Sequence, residues 1–313
     1  MRKRAADGRD ETAHVHGRRE KPWVQHIRTP MSPVSVLLTG VILLVIGVLL
    51  LACSACTTKS AVRTESNDFP VGDSVTLVVK SLGGRIEVEA GTDNVVCVRA
   101  ELRDIRRIKY EAIQSGDEIV VTAEKTGTWW FPAGNTRADI YVTAPASTSL
   151  RLETRNGRIE VRGTTRGGIL NTSNGAIVLE DVKGDFEATT SNGAVEIDTI
   201  DGSAFVRSSN GKITLEQAAG EFNVKTTNGD ISFSGHMTPG GSNRLVTTNG
   251  RVEVELTGVA SVSIDASTGN GEINHRDVPI LTTTAKTDHV IGTVGAGEAD
   301  LYIETSNGDV IIK

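Results

Sequence analysis

Few side chains in this sequence are placed to do chemistry, and their spacing argues against a built catalytic centre. Carboxylates that could form an acid pair stand at Glu160, Glu196 and Glu253. A glycosidase needs two of them facing one sugar across a few ångströms, yet these fall whole repeat units apart, which predicts solvated positions on an outer face. His236, His275 and His289 lack metal-ligand spacing. Asp288 adjoins His289, but neighbours in a strand point to opposite faces, so that pair is expected to diverge. Cys53 and Cys56 form a single C-x-x-C, a weak metal or redox signal by itself. Cys97 lies in the strand-like run VVCVRA, where a buried small side chain is expected. No phosphate loop, dinucleotide fingerprint or nucleophile elbow occurs. The sequence therefore assigns no catalytic residue, no metal ligand and no cofactor. Trp129, Trp130 and Phe131 are the one local concentration of aromatics. They are candidates for a surface contact with a sugar or membrane, or for filling a cap.

A more regular signal lies in asparagine. Asn-Gly begins at Asn156, Asn174, Asn192, Asn210 and Asn228, each 18 residues from the last. Asn249 and Asn270 follow at steps of 21, and Asn307 comes 37 later. Asp288-His289 falls where one further marker is due, giving nine units between about 150 and 313. Two residues after each Gly stands a β-branched residue: Ile159, Ile177, Val195, Ile213, Ile231, Val252, Ile273 and Val310, with Ile291 in the unit that lacks the marker. Two residues before each Asn stands a hydroxyl, from Thr154 and Thr172 to Thr305. Apolar positions alternate within each unit, which is strand periodicity.

Each unit thus reads as two short strands joined at Asn-Gly. One such unit cannot bury its apolar face, but stacked units form a continuous core from matching columns. The predicted fold class is all-β, a parallel β-solenoid (β-helix-like) of about nine 18–21-residue coils. At about 4.8 Å per coil the rod is roughly 40 Å long. The asparagines are expected to form a ladder of side-chain amides along one edge, with the adjacent Gly supplying positive φ. Asn-Gly is also the strongest hairpin signal, so an antiparallel meander or barrel is the rival geometry. The recurrence of whole columns favours stacking.

The remaining sequence divides the chain. Residues 1–33 carry eight basic and four acidic residues, a net +4 against −6 for the whole chain, and read as a disordered cytoplasmic tail. Residues 34–53, VSVLLTGVILLVIGVLLLAC, hold no charge and are long enough to span a bilayer as a helix. The basic flank keeps the N-terminus cytoplasmic and sends the remainder outward. Leu50-Leu51-Ala52-Cys53 also resembles a lipobox, which makes Cys53 a candidate for lipidation and the segment a signal anchor. Residues 54–67 read as a polar tether, 68–149 as an N-terminal β cap and 150–313 as the solenoid. The acidic balance excludes a general nucleic-acid binder. Three cysteines are too few for a disulfide scaffold.

The run LRLETRNGRIEVRGTTRGGILNTSNGAIVLEDVKGDFEATTSNGAVEI is similar to the DUF4097 family of adhesin-like proteins with β-strand repeats. VTAPASTSLRLETRNG resembles that family's entry into the array, and DFPVGDSVTLVVKSLGGRIEVEAG its opening strands, so the resemblance spans about 68–313. It implies a β-helical, surface-exposed domain and no particular mechanism. The expected protein is a single-pass cell-membrane protein whose extracytoplasmic solenoid has a structural or binding role without catalysis. Expected partners are the membrane through 34–53, a cell-surface polysaccharide or protein, and a second copy through the C-terminal coil, with no nucleic acid. Alternative readings are an envelope sensor reporting through the basic tail and, lower, a carbohydrate-active β-helix enzyme.

Overall fold

The computed structural model describes residues 62–126, 136–258 and 260–313, all within a unit spanning Lys59–Lys313. The predicted span 34–53, the basic tail and Cys53 lie outside the described residues. Among the described residues no helix is long and apolar enough to cross a membrane. The chain opens with β1 (Val62–Pro70), β2 (Val75–Ser81), β3 (Ile86–Gly91), β4 (Val95–Arg103), β5 (Ile108–Ser115), β6 (Glu118–Lys125) and β7 (Arg137–Pro145). Regular pairs follow: β8 (Thr148–Thr154) with β9 (Ile159–Arg162), β10 (Gly168–Thr172) with β11 (Ile177–Lys183), and β12 (Phe186–Thr190) with β13 (Val195–Asp201). Next come β14 (Ala204–Arg207) with β15 (Ile213–Gly220), β16 (Phe222–Lys225) with β17 (Ile231–Met237), and β18 (Ser242–Asn249) with β19 (Val252–Leu256). β20 (Val262–Asn270), β21 (Ile273–Asn274), β22 (Leu281–Ala285), β23 (His289–Val294), β24 (Ala299–Asn307) and β25 (Val310–Ile312) complete the chain.

Within each pair the first strand joins one sheet and the second joins the other, with the Asn-Gly corner between them. Pairing between successive units is parallel and in register, so like residues stack. Leu170 lies beside Leu152 and Ala188, and Ile177 beside Ile159 and Val195. The fold is all-β, with two largely parallel sheets as in a solenoid, and the hairpin meander is ruled out. The β-branched column after each Gly from Ile159 to Val252, and Val310, is buried between the sheets. So are Leu152, Leu170, Val206, Val224 and Leu245 facing it. Small β-branched side chains fill this slot because their restricted rotamers suit a pleated surface. Where two rings do enter, Phe222 and Phe233 meet at 5.2 Å between centroids, tilted by 59°. In three successive coils a single residue adopts positive φ in mid-strand, Asp181, Thr199 and Gln217. These bulges, 18 residues apart, stack so that β11, β13 and β15 stay in register, and the register shifts between Leu215 and Ala218 where β15 meets β17.

The corner glycines need correction. Of the eight, only Gly308 has the expected positive φ, while Gly157, Gly175, Gly193, Gly211, Gly229, Gly250 and Gly271 do not. They are glycine because coils approach too closely for a side chain. A Cβ at Gly175 would lie 1.9 Å from the Gly157 carbonyl oxygen, and one at Gly193 would lie 1.8 Å from that of Gly175. At Gly211 it would also sit 2.9 Å from Ser208 Oγ, so the absent methyl leaves room for the neighbouring hydroxyl.

Both ends of the array depart from chain order. In space the parallel coils run β6–β7, β2–β3, then β8–β9 to β18–β19 in sequence order, then β24–β25 and finally β20–β21. That makes ten among the described residues. Residues 75–91, expected in the cap, are a full coil beside β8–β9. The polar segment 54–67, expected to be a tether, already contributes to strand β1 from Val62. At this end antiparallel strands close the stack: β4 on β7, β1 on β4, and β5 on β6. At the other end β23 runs antiparallel on β20, and β22 on β23. The unit at Asp288-His289 is therefore no coil. Its register is also one residue off the expected one, since Val290 and Val294 are buried while Ile291 and Thr293 are not. The C-terminal strand is no open edge, because Val310 pairs with Val252 on one side and Ile273 on the other. A parallel stack ends in unpaired backbone; the chain covers both sheets with antiparallel strands at the N-terminal end, and the β20 sheet at the other, where the two-residue β21 is the last strand of its sheet.

Gly193→Ala should lower unfolding free energy by about 3 kcal/mol, because backbone on both sides must move. Gly72→Ala, with nothing within 4 Å of its Cβ, should change it by less than about 0.5 kcal/mol. Chemical denaturation of the two variants checks the contrast, and equal effects would refute the steric account of the corner.

Candidate functional site along the asparagine edge

The structure brings all eight predicted asparagines into one exposed column. Asn174 Nδ2 donates to Asn156 Oδ1 at 2.7 Å. Asn192, Asn210, Asn228 and Asn249 each donate to the preceding member at 2.8 Å. The ladder then follows space instead of sequence: Asn307 donates to Asn249, and Asn270 to Asn307, both at 2.8 Å. Every amide points the same way. The sequence marks the members but not this order, which depends on the C-terminal coil inserting beside β18–β19.

Beneath the ladder runs a buried one. Thr172 Oγ1 donates to Gly157 O at 3.1 Å, Thr190 Oγ1 to Gly175 O at 3.0 Å, and Ser208 Oγ to Gly193 O at 3.0 Å. Thr226, Thr247, Thr305 and Thr268 repeat the bond to Gly211, Gly229, Gly250 and Gly308. The hydroxyl column seen in the sequence thus serves the carbonyl that the glycine column leaves uncovered. A buried carbonyl without a donor is costly, so the two columns form one device.

The candidate acids are not brought together. Glu160 and Glu196 share a column but Val178 stands between them. Glu160 is not solvated as expected; it is buried beneath Arg158, at 3.3 Å, and Arg162. Arg162 also reaches Glu180 at 2.6 Å and Glu87 at 3.2 Å. The Glu180 hydrogen bond, with Glu160 and Glu87 beside it, holds the Arg162 guanidinium above its ordinary pKa. This network ties three strands of one sheet together, β3, β9 and β11, and offers no free acid. His289 turns from Asp288 to Asp265, with Nε2 3.0 Å from Oδ1. Near the N-terminal end, burial and then Glu65 push the Tyr110 phenol up to about 12, and its hydroxyl donates to Asn67. Trp129, Trp130 and Phe131 lie outside the described residues.

Cys97 is exposed, not buried. The strand alternates, so Val96 and Val98 take the inner face. Cys97 stands opposite Asp68 across the β1–β4 pair. Partial desolvation between strands, then the Asp68 carboxylate, raises its thiol pKa. A raised pKa means less thiolate at a given pH.

Two measurements follow. Thr190→Val should cost about 1–2 kcal/mol by removing a buried donor, and Asn192→Ala, in an exposed ladder, about 0.5–1 kcal/mol. Denaturant titration giving the opposite order would overturn the ranking. With Cys53 and Cys56 replaced by Ser, Asp68→Asn should speed reaction of Cys97 with a disulfide reagent at pH 8. That substitution lowers the thiol pKa and raises the thiolate fraction; an unchanged rate would show that Asp68 does not govern it.

Solved structures similar to the chain include a candidate adhesin from Bacteroides fragilis, at 12% identity over 80% of this chain and 97% of that one, TM-score 0.44. A candidate adhesin from Parabacteroides merdae matches at 10% identity over 82% and 97%, TM-score 0.40. A candidate cell adhesion protein from Clostridium sporogenes matches at 13% identity over 81% and 99%, TM-score 0.27. Comparison with curated proteins gives no match. The model of the Toastrack DUF4097 family matches residues 75–313, from the first strand of the β2–β3 coil to the last residue, and the chain belongs to that family.

Proposed function

We propose that this protein is a membrane-anchored, extracytoplasmic binding module of adhesin-like type, using the outer surfaces of its coils rather than a catalytic pocket. The observation that carries the reading is the in-register stacking of exposed side chains on both sheets. Arg151, Ile169, Glu187 and Phe205 form one such outer column. Backbone ladders and a packed core hold columns of this kind rigid, so they can engage an extended partner by area, at little ordering cost on binding. Charged and aromatic groups sit side by side on this face. Arg207 packs over the Phe205 ring at 4.5 Å, and Arg244 over Tyr302 at 4.2 Å, which suits a polar polymer with apolar ring faces. A cell-surface polysaccharide is the partner class favoured. The charge-free run 34–53 behind a basic tail supplies the anchor, as a retained helix or through lipid on Cys53.

Protease added to intact cells should remove the solenoid while a tag on residues 1–33 stays protected; a protected solenoid overturns the topology. Cells displaying the full chain should retain members of a surface-polysaccharide panel that cells without it do not, and failure across the panel overturns the binding role. Cys53→Ser should leave membrane association unchanged for a retained helix and abolish fatty-acid incorporation for a lipid anchor.

A further inference from the structure

One end of the asparagine ladder opens into a basic cavity. Asn156 is its last member on the N-terminal side. In the next coil the equivalent position is Gly83, whose sequence GGRIEV parallels NGRIEV from Asn156. Because every ladder amide donates toward this end, Asn156 Nδ2 is the terminal donor. It has no hydrogen-bond acceptor among the described residues, although Asn156 Oδ1 accepts from Asn174. Glycine at 83 is not sterically required. A Cβ there would meet its nearest atoms, both of Asn156, at 3.6 and 3.7 Å, which is ordinary contact. This differs from the crowded corners farther along the column. The truncated side chain leaves a cavity of about 500 Å³.

Five cations line that cavity: Arg85, Lys125, Arg137, Arg155 and Arg158, and no described Asp or Glu does. Three are paired below the rim, Arg85 with Glu87 at 3.3 Å, Arg137 with Asp139 at 2.6 Å and Arg158 with Glu160 at 3.3 Å. Lys125 and Arg155 have no carboxylate partner among the described residues. In a chain with 39 acidic and 33 basic residues, such a concentration stands against the overall charge. Guanidinium forks match tetrahedral oxyanions. The head-to-tail amide dipoles add a positive end at Asn156.

We infer that this cavity binds an oxyanion of phosphate or sulfate type, held by Arg155, Lys125 and Asn156 Nδ2 with the paired arginines around it. The volume exceeds one oxyanion several-fold, leaving room for the group that carries it. The inference deepens the binding reading above and rests on it only for biological setting: anion binding can survive failure of the polysaccharide panel, which would overturn that reading alone.

Calorimetry on the full chain in an uncharged detergent, at constant chloride, tests it with inorganic phosphate, glucose 6-phosphate and glucose as probes. Saturable binding of phosphate and glucose 6-phosphate, but not glucose, is expected. Tighter binding of glucose 6-phosphate assigns the site to a sugar-borne group, and equal affinity assigns it to the free ion. Arg155→Gln should weaken binding about tenfold. Asn156→Asp, which still accepts from Asn174, should weaken it at least as much, while Lys225→Gln on a distant coil should leave it unchanged. Gly83→Asn should extend the ladder, raise Tm and suppress anion binding. No saturable phosphate binding, or equal affinity in wild type, Arg155→Gln and Gly83→Asn, overturns the site.

Discussion

The closeness of the backbone at the Asn-Gly corner governs the whole molecule. Coils stack so tightly there that a methyl group would sit inside the neighbouring carbonyl. The buried carbonyl is then served by a hydroxyl from the next strand, which enters the space the methyl would have used. Outside that buried bond, asparagine amides join edge to edge. Three columns of different chemistry are thus consequences of one approach distance. None can change alone: a larger residue at the glycine displaces both backbone and hydroxyl, and loss of the hydroxyl strands the carbonyl. The constraint also explains the sparse aromatic content, since a narrow slot between two sheets is filled by Val, Ile and Leu with few rings.

A parallel stack has two open ends, and the molecule closes both by abandoning chain order. The C-terminal strands are inserted between β18–β19 and β20–β21, so that backbone and amide ladders continue across segments about sixty residues apart in sequence. Antiparallel strands then cover both strands of the outer coil β6–β7, and β20 of the outer coil β20–β21. Since the ladder depends only on which corner lies next to which, Asn307 takes its place before Asn270 without any change in geometry. The covering strands leave the broad sheet faces and the edge as the surfaces that meet the surroundings.

Those surfaces differ in character. One sheet carries the carboxylates pinned by Arg162, with Arg99 over Tyr141 near its N-terminal end, and the other sets Arg207 and Arg244 over aromatic rings. The edge carries amides that satisfy one another along its length. Among the described residues, the amide column stops at Gly83, and there a concentration of cations meets the terminal amide donor of Asn156. A repetitive scaffold acquires a distinct place where the repeat is interrupted, because each interior amide already donates to its neighbour along the column.

The sequence by itself determined the repeat, the strand periodicity, the two stacked columns and the family, because each is a local pattern copied at a fixed spacing. It also carried a signal that was passed over: GGRIEV at residues 83–88 repeats NGRIEV at 156–161 and marks a coil where a cap was expected. It misled at Asp288-His289, where spacing suggested a coil but an antiparallel strand turned the alternation by one residue. It misled at Cys97 too, where an apolar run hid the outward position. The tertiary structure alone decided the order of the terminal coils, the burial of Glu160 beneath arginines, and the gathering of Arg85, Lys125, Arg137, Arg155 and Arg158. These depend on which segments come to lie side by side, and that is settled by closing the open ends of the sheets, a requirement of the whole stack that no single repeat encodes.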